Sequence, residues 1–81
     1  MTLNDIERRL NHDYDVISHH SSNGIIEFVK RGGFFKSEVL LARIRRRSSP
    51  QWFDRHFEKH YDDSEVREIK RLITQYYRQR K

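Results

Sequence analysis

The chain has 81 residues, 36% of them charged and 35% apolar, with a formal net charge of +5 and a mean hydropathy of −1.03. These values bound it to one small domain, residues 1–81, with a modest core and much wet surface. The longest apolar run, Val39-Leu40-Leu41-Ala42, is far short of the ~20 residues of a membrane span, so no membrane partner is expected.

Met1 is followed at once by Asn4, Asp5 and Glu7 rather than by a basic and then an apolar stretch, so no secretory signal is expected. The lack of cysteine excludes disulfides, thiolate catalysis and cysteine zinc sites, and fits a cytoplasmic location.

Leu3, Ile6 and Leu10 recur at helical spacing, and Thr2 with Asp5 forms a capping box, so the first ten residues predict an amphipathic helix that leaves at Asn11. Two segments rich in β-branched and aromatic residues follow, 14–20 and 25–31, separated by Asn23-Gly24. That pair predicts a hairpin with a two-residue turn, which sets His20 opposite Glu27 and His19 opposite Phe28.

Gly32-Gly33 marks another turn. Beyond it we read a short strand at 34–36 and a helix from 38 to 47, capped by Ser37; a long third strand over 36–46 is the rival. Ser49 and Pro50 then predict a helix from 50 to 61 with an aromatic face of Trp52, Phe53, Phe57 and Tyr61. Asp62, Asp63 and Glu65 open the last helix, whose apolar stripe is Val66, Ile69, Leu72, Ile73, Tyr76 and Tyr77. The expected fold is α+β: an N-terminal helix, a small antiparallel hairpin or three-stranded sheet, and two to three C-terminal helices packed on one face.

Charge is uneven along this order. Residues 1–35 hold four basic against five acidic side chains, 36–47 five against one, 62–69 one against four, and 70–81 five against none. Two blocks therefore carry the basicity: Arg43, Arg45, Arg46 and Arg47 with Lys36, and Lys70, Arg71, Arg78, Arg80 and Lys81. Arginine forks match phosphate oxygens, and neighbouring aromatics can stack on bases. The leading expectation is a non-enzymatic protein that binds DNA or RNA through these nine residues, Lys36 aside, of the kind used by phage or mobile-element regulators.

The alternative is a modulator or inhibitor of a host protein, docking through Trp52, Phe53, Phe57 and Tyr61. Either reading suits a monomer or a homodimer, and neither needs a cofactor. A helix-turn-helix with 50–60 as recognition helix has little to pack it, because Arg45, Arg46 and Arg47 occupy its turn. His56 and His60 share a helix face, but Phe57 stands where a zinc-protease motif has glutamate, so no metal site is assigned.

Ser18-His19-His20 is the one stretch suited to general-base attack by a ribose hydroxyl. Over residues 2–31 the chain resembles the HicA-type mRNA interferase toxins, small basic proteins with a Gly-Ser-His-His stretch in a three-stranded sheet. That resemblance implies a metal-free ribonuclease using His19 or His20. Ile17 stands in place of the family's glycine, the histidines fall one strand early, and 50–61 has no counterpart. With 36–46 as a strand, the element order would also resemble a double-stranded RNA-binding domain. That family places lysines at the start of its last helix, where this chain has Asp62, Asp63 and Glu65, so the likeness is not adopted.

Overall fold

Thr2 starts the first helix by reciprocal capping: its hydroxyl accepts the Asp5 N–H at 3.2 Å, and its own N–H donates to Asp5 Oδ2 at 3.0 Å. The Thr2 N–H holds the Asp5 carboxyl below its ordinary pKa. Helix α1 (Leu3–Tyr14) runs past Asn11 and stops at Asp15, whose φ of 55° is left-handed and whose N–H reaches the Asn11 carbonyl. Tyr14, expected on the first strand, therefore belongs to the helix. The computed structural model describes residues 1–31, 38–53 and 63–80.

Strands β1 (Val16–His20), β2 (Ile26–Arg31), β3 (Glu38–Ile44) and β4 (Gln51–Trp52) form an antiparallel meander in chain order, and α2 (Asp63–Arg80) closes the described chain. The α+β class holds. Among the described residues there is one C-terminal helix rather than two or three, and the sheet has four strands.

Three local expectations are corrected. Residues 38–44 form a strand, not a helix, because pairing with β2 buries Leu41, Ala42 and Ile44 and outweighs the helix propensity of the segment. The expected overhang never arises, since Glu38 rather than Phe34 stands opposite Arg31. The strand expected at 34–36 lies outside the described residues. Gln51 and Trp52 pair with Arg43 and Ala42 as β4, so no helix begins at Pro50; the remainder of the helix expected over 50–61, residues 54–61, lies outside the described residues.

The hairpin register is slipped by one residue: His20 faces Ile26, His19 faces Glu27 and Ser18 faces Phe28. Ser21 and Ile25 close a three-residue loop, with Ser21 N–H on the Ile25 carbonyl at 2.9 Å and Gly24 N–H on the Ser21 carbonyl at 3.2 Å. Positive φ is required at Gly24 alone (82°), not at Asn23. Burial explains the slip, because it places Val16, Ile26 and Phe28 on one face.

Both helices cover that face. Ile6 and Leu10 from α1 meet Val66, Ile69, Leu72, Ile73 and Tyr76 from α2 over Val16, Ile26, Phe28, Ala42 and Ile44. A bulge between Phe28 and Val29 leaves Leu41 without a partner in β2, and Leu41 and Ala42 both join the core. At its centre Phe28 is fully buried, with its ring edge-on to Tyr76 at 5.4 Å and 81°. Phe28→Ala should cost about 3–5 kcal/mol, read as a lower urea midpoint with an unchanged slope. A loss below about 1 kcal/mol would contradict this placement.

Candidate nucleic-acid interface

The meander sends β1 and β3 in the same direction, so the β1–β2 and β3–β4 turns emerge at one end of the sheet. Helix α2 runs toward that end, and the Arg80 Nη2 donates to the carbonyl of Gly24. Arg46 lies over the same glycine, where a β-carbon would come within 3.2 Å of its Nε. Segments 45–47 and 77–80 thus meet on Gly24. Between them is a cleft of about 1020 Å³ lined by Ile44, Arg45, Arg46, Arg47, Tyr77 and Arg80.

Electrostatics at this end are lopsided. Among the described residues Arg45, Arg46 and Arg47 carry no ion pair, and Arg80 Nη1 is buried without a hydrogen-bond partner. The nearby carboxylate is Glu7, whose Oε1 is occupied: His20 Nε2 lies 2.7 Å away and the Tyr76 hydroxyl donates at 2.8 Å. The α2 C-terminus adds the equivalent of about half a negative charge. Four guanidinium groups outweigh it.

The other expected contacts divide. Arg43 is on the opposite face of the sheet, where it donates through Nε and Nη2 to Glu27 Oε2 at 3.1 and 2.9 Å and lies over the Phe53 ring at 5.5 Å. Strand alternation separates it from 45–47, which sit in the turn. Lys70, Arg71 and Arg78 lie on the outer side of α2 and line a second groove of about 560 Å³ with Arg67, Thr74 and Gln75. Lys70 Nζ is 5.9 Å from the centre of the Trp52 ring.

Arg71 is tied to Glu68, which holds that carboxyl below its ordinary range. Lys81 lies outside the described residues. Of the aromatic docking set, Trp52 packs partly buried against the core and Phe53 lies under Arg43, while Phe57 and Tyr61 are outside the described residues, as are His56 and His60.

The far end of the molecule is organised differently. Lys30, 5% exposed, donates to the Tyr14 carbonyl at 2.5 Å and to Glu65 Oε1 at 2.9 Å. Glu68 meets Arg9 at 3.8 Å as well as Arg71. The acidic start of α2 is therefore engaged in holding the fold, away from the arginine cleft.

Sequence reasoning did not single out Gly24, Ile44 or Arg67 as site residues, whereas Tyr77 is one of the aromatics it set beside the second basic block as able to stack on a base. Arg67 was within reach: with Val66, Ile69, Leu72, Ile73 and Tyr76 facing the core, residues 67, 71, 74 and 78 form the opposite stripe at helical spacing. In comparisons with known proteins, no family model matches the chain, and no curated protein or solved structure matches it. No described helix is long and apolar enough to cross a membrane.

Burial, and then the bond to Glu7, raises the Tyr76 phenol above its ordinary pKa. The neutral phenol stabilises the fold fully below the unfolded-state value of about 10. Above it the unfolded chain loses its proton first, so stability falls as pH rises. Tyr76→Phe should cost about 1 kcal/mol at neutral pH through the lost hydrogen bond, and that cost should shrink above pH ~10, where the variant has no phenol to ionise at this site. Denaturant titrations of both proteins across that range check it. Parallel pH profiles would contradict it.

Proposed function

We propose that this chain is a non-enzymatic nucleic-acid-binding module that grips phosphates in the cleft at the end of its sheet. One observation carries the reading: Arg45, Arg46, Arg47 and Arg80, drawn from segments more than 30 residues apart, meet around Gly24 above Ile44 and Tyr77. Gathering like charges at one end works against folding, so their concentration there is better explained by an anionic partner than by stability. Guanidinium forks suit phosphate oxygens, and the half-buried Tyr77 at the same cleft suits a base or sugar face. The groove of Arg67, Lys70, Arg71 and Arg78 offers a second stretch of backbone contacts along α2.

Other readings draw less support. His20 is engaged by Glu7, and Glu27, which stands opposite His19, is engaged by Arg43, so neither histidine is set beside an uncommitted carboxylate as base-catalysed RNA cleavage would favour. Half of the aromatic docking surface, Trp52 and Phe53, is partly covered by Lys70 and Arg43.

Fluorescence anisotropy with duplex DNA, single-stranded RNA and double-stranded RNA at two salt concentrations tests the proposal. Four phosphate contacts imply that affinity falls about 50- to 150-fold between 50 and 200 mM salt. The double variant Arg46→Ala/Arg47→Ala should flatten the logarithmic salt slope by about 1.5–2 while circular dichroism stays native. Absence of salt-sensitive binding to every probe would overturn it.

A further inference from the structure

The cleft differs from a linear basic stripe in two respects. Its charges converge from two segments on one space of about 1020 Å³, and all four of its charged linings are arginine. Three of those arginines have no ion pair among the described residues, and the fourth, Arg80, donates through Nη2 to the Gly24 carbonyl. Arg80 likewise has no carboxylate partner among the described residues, so all four charges at the cleft are left for an anion to balance.

An internal phosphodiester carries one negative charge shared by two outer oxygens. A terminal phosphate monoester carries about −1.5 to −2 charges and presents three acceptor oxygens. The monoester makes better use of four converging forks, and Tyr77 lines the same cleft, where the attached terminal nucleoside can rest.

We propose that the cleft recognises the phosphorylated end of a single-stranded nucleic acid, with Arg45, Arg46, Arg47 and Arg80 around the terminal phosphate and Tyr77 against the terminal base. This rests on the nucleic-acid reading above and narrows it from backbone binding to end recognition. A single strand is favoured over a duplex because a stacked, paired end would not leave its last base able to enter the cleft. Nothing in the cleft distinguishes the 5′ from the 3′ end, so both phosphates are ligands to compare.

The experiment measures the affinity of the intact protein for one oligonucleotide in four forms: 5′-phosphorylated, 3′-phosphorylated, unphosphorylated, and 5′-phosphorylated in a duplex. One phosphorylated single strand should bind about tenfold tighter than the unphosphorylated one, the worth of one further charge-assisted hydrogen bond. Arg80→Lys keeps the charge and removes the fork, and should bring the affinities of the phosphorylated and unphosphorylated strands to within about twofold of each other. Arg47→Lys, in an exposed turn, should reduce the preference in the same way if Arg80→Lys perturbs the fold.

Equal, salt-sensitive binding of all four forms overturns end recognition and leaves the nucleic-acid reading standing. No binding of any form overturns both. A phosphoserine peptide of equal charge that binds as tightly as the best oligonucleotide overturns the proposal in favour of a phosphoprotein partner.

Discussion

The basic end depends on Gly24, where a backbone constraint and two side-chain contacts coincide. The β1–β2 loop closes with Gly24 at a φ of 82°, which an L residue adopts only under strain. Its missing side chain leaves room for the Arg46 guanidinium, and its carbonyl takes a hydrogen bond from Arg80. Any side chain there would press on Arg46 and disturb the loop that presents the carbonyl. Through this one residue the β1–β2 loop, the β3–β4 turn and the last turn of α2 form a common surface.

The register of β1 on β2 puts the glycine in that position. Pairing His20 with Ile26 turns Val16, Ile26 and Phe28 toward the helices and fixes where the loop emerges. Glu7 then ties the layers together near the same end, accepting from Tyr76 of α2 and meeting His20 of β1. Acidic residues are used elsewhere, with Glu65 on the buried Lys30 and Glu68 on Arg9 and Arg71. The carboxylates of α2 are therefore engaged toward its start, while Arg45, Arg46 and Arg47, without ion pairs among the described residues, lie by its finish.

Much of the scaffold was legible in the residues. The Thr2–Asp5 capping box and the stripe from Val66 to Tyr77 carry their helical meaning locally, and the structure bears out both. The third strand was misread because Glu38, Leu40, Leu41 and Ala42 suit a helix by propensity, whereas the pairing that decides their state is made with β2, outside the segment. The Asn-Gly signal found the hairpin but misplaced its register by one residue, since burial of Val16, Ile26 and Phe28 overrode the preference for a two-residue turn. Two basic blocks could be counted from the sequence. Their meeting could not, because it depends on β3 running as a strand beside β2, and the same pairing sends Arg43 to the far face with Glu27.

The central claim is that the two basic segments act as one anion site around Gly24, and backbone amide shift mapping by NMR during titration with a single-stranded oligonucleotide addresses it most directly. The account predicts that perturbations concentrate together at Gly24, Arg45–Arg47, Tyr77 and Arg80 and saturate with a single affinity. Perturbations centred on Arg43, Trp52 and Phe53, or two groups of residues that saturate with different affinities, would contradict it.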